Sequence, residues 1–248
     1  MNRTVLCRFL PLLVLLFSCA KEKASSPEPV LYRASGNIGP VVEAFRADLG
    51  PLNTTPGATS GRREVNWDGV PDSLLDQPLP GDFFNPVGAQ AVARQRGLVY
   101  ASGGFRASAS GFASVNGQAA PEFVPFSGSR LFANVSSAAW PVNFRVAGTH
   151  TVASVRAFGL VFADVDAEGS VTVEPFEGPV SLGRYTVPAR SAGSPFSFFG
   201  IRFPDRRITE VLVRHEGKLI DGMKDISQGG PEDLVAVDDF IYSEPVAE

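Results

Sequence analysis

The chain has 248 residues, 22 Lys+Arg against 26 Asp+Glu, a net charge of −4 and 44% hydrophobic residues. That composition excludes a disordered chain, and an acidic protein without a basic cluster is a poor nucleic-acid binder. Two cysteines cannot build a disulfide scaffold or a four-cysteine zinc site, whereas 25 Gly, 20 Pro and 19 Phe with few charges point to short strands and tight turns.

The chain opens on a targeting segment. Arg3 and Arg8 form a basic start, and residues 9–17 (FLPLLVLLF) are an apolar run. The run is too short to span a bilayer and right for a signal peptide. Leu16-Phe17-Ser18-Cys19 follows and resembles a bacterial lipobox. Residues 1–18 are therefore expected to be removed, with Cys19 lipidated at the new N-terminus. Cys7 leaves with the signal, so the mature chain carries no disulfide and no free thiol. Ala20 in place of Asp favours the outer membrane over inner-membrane retention. Residues 19–37 read as the lipidated Cys and a flexible tether, and residues 38–248 as one domain.

Apolar residues at 41, 42, 45 and 49 give one short amphipathic helix, stopped by Gly50-Pro51. Period-2 runs then alternate with Gly/Pro/Asn/Asp clusters. The predicted strands are 63–67, 97–102, 104–109, 131–135, 142–146, 151–163, 170–176, 184–187, 196–203, 208–214 and 234–242. With no helices between them, they argue for an all-β, antiparallel β-sandwich of jelly-roll, lectin-like kind. Phe158, Leu160 and Phe162 share one strand face, and Ala157, Gly159, Val161 and Ala163 share the other. Phe158, Phe162, Phe198 and Phe240 are the aromatic residues expected between the sheets.

Four stretches carry a resemblance: GRREVNWDGVP at 61–71, GDFFN at 81–85, FGLVFADVD at 158–166 and VDDFIYSEP at 237–245. Together they resemble a family of uncharacterised secreted bacterial β-sandwich proteins over about residues 40–245. Val65 and Ser243 replace that family's usual Ile and Gly. The resemblance implies an exported sandwich of carbohydrate-binding shape and supplies no catalytic residues.

Three constellations could carry chemistry. Asp238 and Asp239 lie inside an apolar strand, on opposite faces if alternation holds. A buried carboxylate needs a cation or several donors. One reading is a structural calcium site, with Glu64, Asp68 and Asp82 as the further ligands. The other is an ion pair with Arg62 or Arg63, or hydrogen bonds from backbone N–H groups. Second, Asp164-Val165-Asp166-Ala167-Glu168-Gly169 has the first half of a calcium-loop pattern. Pro175 stands where the last ligand would be, which favours a hairpin turn. Third, Arg62, Asn66, Trp67 and Asp68 form either a sugar-binding face, with an aromatic platform beside hydrogen-bonding groups, or a strand with Trp67 in the core and Asp68-Gly69 as a turn. The second is preferred, since a lone Trp beside Val usually packs.

The catalytic inventory is thin. His150 and His215 are isolated, and no G-x-S-x-G or H-E-x-x-H is present. The expected role is a non-catalytic binding module for polysaccharide or another envelope component, anchored by lipid in the cell envelope. The alternatives are a structural or assembly lipoprotein that contacts other proteins, and an unrecognised glycoside-acting hydrolase.

Overall fold

The computed structural model describes residues 27–100 and 103–248. The expected signal segment 1–18, the expected lipidation site Cys19 and residues 20–26 lie outside the described residues, as does the end of the predicted strand 97–102.

Two antiparallel sheets face each other, as the alternating runs require. In chain order the elements are β1 Val30–Ser35, α1 Gly39–Leu49, β2 Arg62–Val65, β3 Leu98–Tyr100, β4 Phe105–Ser108, β5 Leu131–Asn134, β6 Ala139–Arg145, β7 Val152–Ser154, β8 Ala157–Ala163, β9 Thr172–Glu177, β10 Val180–Ser181, β11 Tyr185–Thr186, β12 Phe196–Arg202, β13 Glu210–Arg214, β14 Ala236–Ser243 and β15 Val246–Ala247. The first sheet runs β1-β12-β8-β14-β5-β4, with β2 beside β14. The second runs β10-β9-β13-β6-β7-β15, with β11 on β9 and β3 on β6.

The core between the sheets is aromatic. Phe158, Leu160 and Phe162 of β8 meet Trp140, Val142 and Phe144 of β6 there, with Phe199, Phe240 and Tyr242 around them. Each fully buried side chain of this size contributes roughly 1.5–3 kcal/mol. The small face of β8 is buried as well, because α1 lies over it. Val42, Phe45 and Leu49 pack on Ala157, Val161, Phe198 and Ile241. Gly159 lies under the helix. A Cβ there would come within 2.6 Å of the Phe45 ring, so only glycine lets the helix approach this closely.

Two expectations are corrected. Phe198 is buried, but under the helix and not between the sheets. Phe199 takes the inner position on β12, so the strand presents phenylalanine to both sides. The tether does not extend to residue 37. Val30–Ser35 adds to the edge of the first sheet, in register from Val30↔Arg202 to Ser35↔Ser197. Its reason is local: Tyr32 and Ala34 pack beside the α1 cluster, so the strand has an apolar face to bury despite its polar flanks.

A third cluster covers the other end of the first sheet. Phe112, Phe123, Leu219 and Leu234 pack on Ala163, Ala236, Leu131 and Ala133. The loop segments from 109–126 and 215–235 thereby come together over the C-terminal end of β8.

Candidate functional site

The two adjacent aspartates of β14 do not alternate. Val237 pairs with Phe162 but Phe240 pairs with Leu160, so β14 carries one more residue than β8 across this step. This is a β-bulge, and it turns both carboxylates to the side away from the inter-sheet core. They converge on Ser127. Asp238 Oδ2 accepts from the backbone N–H groups of Phe126 (2.6 Å) and Ser127 (3.0 Å). Asp239 Oδ1 accepts from the Ser127 hydroxyl at 2.5 Å, and its Oδ2 accepts from Arg46 Nη2 at 3.0 Å. Arg46 also grips Glu64 through Nε (3.1 Å) and Nη2 (2.9 Å). Burial, and then the neighbouring Asp239 charge, push the Asp238 carboxyl up to about 8. Asp238 Oδ1 has no partner among the described residues.

The five proposed metal ligands therefore do not assemble. Glu64 and Asp239 are brought together, but the Arg46 guanidinium stands between them where a cation would. Asp68 holds a neighbouring loop, accepting from the Ser129 N–H at 2.9 Å and from Asn66 Nδ2 at 3.1 Å. Asp82 lies elsewhere, in a cleft on the second sheet. The arginine partners expected from sequence are engaged otherwise. Arg62 binds Glu64 and the carbonyl of Gly50. Arg63 is fully buried in a two-point ion pair with Glu244, both contacts at 2.7 Å.

The sugar-face reading of this segment is also corrected. Trp67 is fully buried, stacked on Phe132 with ring centroids 3.5 Å apart, and edge-on to Phe84 and Phe240. Its indole Nε1 donates to the carbonyl of Asp238 at 2.9 Å. A tryptophan so placed offers no platform. Asn66 is exposed and Asp68 is half-buried.

The acids that do converge are Glu122, Asp164, Asp166 and Asp225. Each offers one carboxylate oxygen within 4.8 Å of the others. Asp164 and Asp166 follow the end of β8, with Asp164 in the left-handed region at φ 68°. Glu122 closes a short turn over residues 120–122, and Asp225 caps another over 226–228 by accepting from Ser227 N at 2.7 Å. One cation is present: Arg190 Nε meets Asp164 Oδ1 at 2.9 Å and also contacts Asp166. Burial, then Asp166, push the Asp164 carboxyl up to about 8. Behind this group, Asp233 accepts from the backbone of Asp166 and Ala167 and from the Ser170 hydroxyl. The D-x-D spacing of 164–166 was visible in the sequence. Glu122 and Asp225, some 40 and 60 residues away in the chain, carried no sign that they would join it.

A cleft of about 410 Å³ opens on the outer face of the second sheet. Its floor follows from alternation: Trp140, Val142 and Phe144 of β6 point into the core, so Pro141, Asn143 and Arg145 point out. Val99 of β3 pairs with Asn143 and extends the floor. The walls are Gly81, Asp82 and Asn85 on one side and Thr149 and His150 on the other. Asn85 ties the walls together, accepting from Gly148 N at 2.7 Å and donating to the Thr149 carbonyl at 2.9 Å. Asp82 and His150 are exposed, and Arg145 makes no ion pair among the described residues. The Tyr100 ring packs in the core, and its hydroxyl is buried without a partner among the described residues. Burial and the Asp82 charge hold that phenol above its ordinary range. The cleft is within the size range of small-ligand sites. The GDFFN stretch thus divides its labour: Phe83 and Phe84 anchor in the core while Asp82 and Asn85 form the wall.

No protein-family model and no curated protein matches the chain. Among solved structures it is similar to two variants of the family 29 carbohydrate-binding module CBM29-2, each at 8% identity and a TM-score of 0.29. These alignments cover 65% of this chain and 89% and 88% of the modules. It is also similar to CBM29_1, a family 29 carbohydrate-binding module from Piromyces equi, at 14% identity and a TM-score of 0.28, over 60% of this chain and 86% of that one.

Proposed function

We propose that the chain is a non-catalytic binding module that takes a polar ligand of glycan type in the cleft on the second sheet. The observation that carries the reading is the set of polar side chains that line the cleft without an ion pair among the described residues: the Asp82 carboxylate, the His150 ring and the Arg145 guanidinium, one nitrogen of which donates to the Phe144 carbonyl at 2.9 Å. A sugar ring presents neighbouring hydroxyls that donate and accept, and mixed donors and acceptors on a rigid β floor suit that pattern. The described lining residues include no phenylalanine or tryptophan, and the Tyr100 ring packs in the core, so recognition rests on hydrogen bonds, with affinity gained by repeating contacts along a polymer. We place the protein in the cell envelope, exported by residues 1–18 and held in the outer membrane through an acylated Cys19. The lipobox-like residues 16–19 and the resemblance to secreted proteins support that placement.

A glycan array probed with the full chain tests the ligand class. Binding to a subset of polysaccharides, lost in Arg145→Ala and Asp82→Ala, is the expected result. Silence across the array, with capture of an envelope protein instead, would replace the glycan with a protein partner. Incorporation of labelled palmitate into wild type but not into Cys19→Ala tests the anchor.

A further inference from the structure

The acidic cluster at the end of β8 is not used by the proposed binding cleft, and its charges are out of balance. Four carboxylates meet one arginine, and Asp233 adds a fifth acid directly behind them. Surface acid clusters are tolerated because water solvates them, but this one is sheltered. Asp164, Asp225 and Asp233 are each at most 1% exposed. An independent observation concerns the individual atoms. Asp164 Oδ1 is met by Arg190, but Asp164 Oδ2 is buried and has no hydrogen-bond partner among the described residues. Asp166 Oδ2 is in the same state, and so is Asp233 Oδ1. An ionised carboxylate oxygen left bare in a protein interior is among the costliest groups to bury. These oxygens sit where neighbouring acids crowd toward them and donors do not.

We propose that Glu122, Asp164, Asp166 and Asp225 bind one calcium ion, which joins the loops at 120–122 and 225–228 to the end of β8. The donor set consists only of hard oxygen ligands, which selects calcium or magnesium over zinc or copper. Calcium takes 6–8 oxygens at 2.3–2.6 Å, so ligands on opposite sides of the ion stand about 4.6–5.2 Å apart. The four oxygens all lie within 4.8 Å of one another, close enough to share one such ion. Magnesium needs a tighter octahedron at about 2.0–2.1 Å and keeps its waters. Water completes the coordination, and the half-buried Glu122 gives the ion and its water a route in. Arg190 remains as the partner of Asp164 Oδ1 and Asp166 Oδ1, leaving their Oδ2 atoms for the metal. The left-handed backbone at Asp164 is consistent with a residue held for its side chain, since a non-glycine pays for that conformation. The structural gain is clear. The two loops otherwise meet β8 through the Phe112–Leu234 cluster, and each other through a few hydrogen bonds, such as Ser227 Oγ to Glu122 at 2.5 Å.

Calorimetric titration of the chelator-treated full chain with calcium should give one site. Calcium at a hundredfold excess over its Kd should raise Tm by about 5–10 °C. Glu122→Gln keeps the size of the side chain and its contact with Ser227, and it should weaken binding at least tenfold without unfolding the chain. Asp164→Asn with Asp166→Asn should abolish the titration while near-ultraviolet circular dichroism stays native. Asp239→Asn, at the other acid pair, should leave the calcium response unchanged. No heat and no Tm shift with calcium in the wild type would overturn the proposal, and so would equal binding by wild type and Glu122→Gln. An equal response to magnesium would overturn the calcium assignment, and loss of the response in Asp239→Asn would overturn the placement.

Discussion

Replacing Glu244 by Leu strands a guanidinium that has no access to water. Arg63 is 0% exposed and faces Glu244 through Nε and Nη2, both at 2.7 Å. Removing one member of such a buried pair costs about 3–5 kcal/mol, because the other charge stays buried without its counterpart. The structure places this case near the lower end. Arg63 keeps one good acceptor, the Thr55 carbonyl at 2.9 Å, and two long ones, the carbonyls of Asn53 (3.4 Å) and Gln95 (3.3 Å). Asn53 also loses its contact to Glu244 at 2.8 Å. Taking about 3 kcal/mol, and about 2–4 °C per kcal/mol for a domain of this size, Tm should fall by about 6–12 °C. Differential scanning calorimetry at pH 7, checked by urea denaturation, reads the loss. The pair Arg63→Met with Glu244→Leu should regain more than half of it, since a buried ion pair and an apolar pair of similar volume are often near parity. A single substitution that leaves Tm within about 2 °C of wild type would refute the reasoning, and so would a double variant that loses the sum of both singles.

Three further outcomes follow from particular residues. The Asp238 carboxyl is raised from 3.8 to about 8 in the fold, so between those values the native state holds a proton that the unfolded chain has lost. Its contribution to stability therefore falls as pH rises through that window, and Asp238→Asn should remove that part of the slope. Parallel Tm curves for wild type and variant between pH 4 and 8 would count against it. Gly159→Ala pushes a methyl to within 2.6 Å of the Phe45 ring and should cost about 1–3 kcal/mol, read as a lower urea midpoint; an unchanged midpoint would mean that α1 can lift. Trp67→Phe should cost about 1–3 kcal/mol, whereas exposed Asn66→Ala should stay within about 0.5 kcal/mol. The reverse ranking would restore Trp67 as a surface group.

Much of the fold was legible because alternation is a local property. The β8 stripe needed only its own seven residues to declare a central strand, and 41, 42, 45 and 49 were enough for α1. What failed was whatever depends on a partner. Phe198 and Phe199 are adjacent and identical in type, so sequence cannot say which faces the helix until the register with β8 is known. β1 is a short VLYRAS run beside polar residues, and its pairing with the edge of β12 is not written in its own pattern. At the candidate sites, Trp67 was legible as core, and the backbone donors to Asp238 were foreseen as one alternative. Arg46 as the partner of Asp239 was not, because helix and strand meet across almost the whole chain. The acid cluster was half visible in Asp164 and Asp166, and its other half lies in loops whose meeting only the packed cluster around Phe112 determines.

The bulge at Asp238 and Asp239 also explains how a tryptophan can occupy an otherwise oily interior. An indole carries an N–H that must find an acceptor, and in a regular sheet each central carbonyl is already taken by the next strand. The surplus residue in β14 leaves one carbonyl spare, and Trp67 claims it at 2.9 Å. Deleting Asp238 would restore even pairing and at the same stroke leave the indole without an acceptor. The two features therefore have to change together: a chain that straightened this strand would need a phenylalanine at position 67, and one that kept the tryptophan could not lose the extra residue.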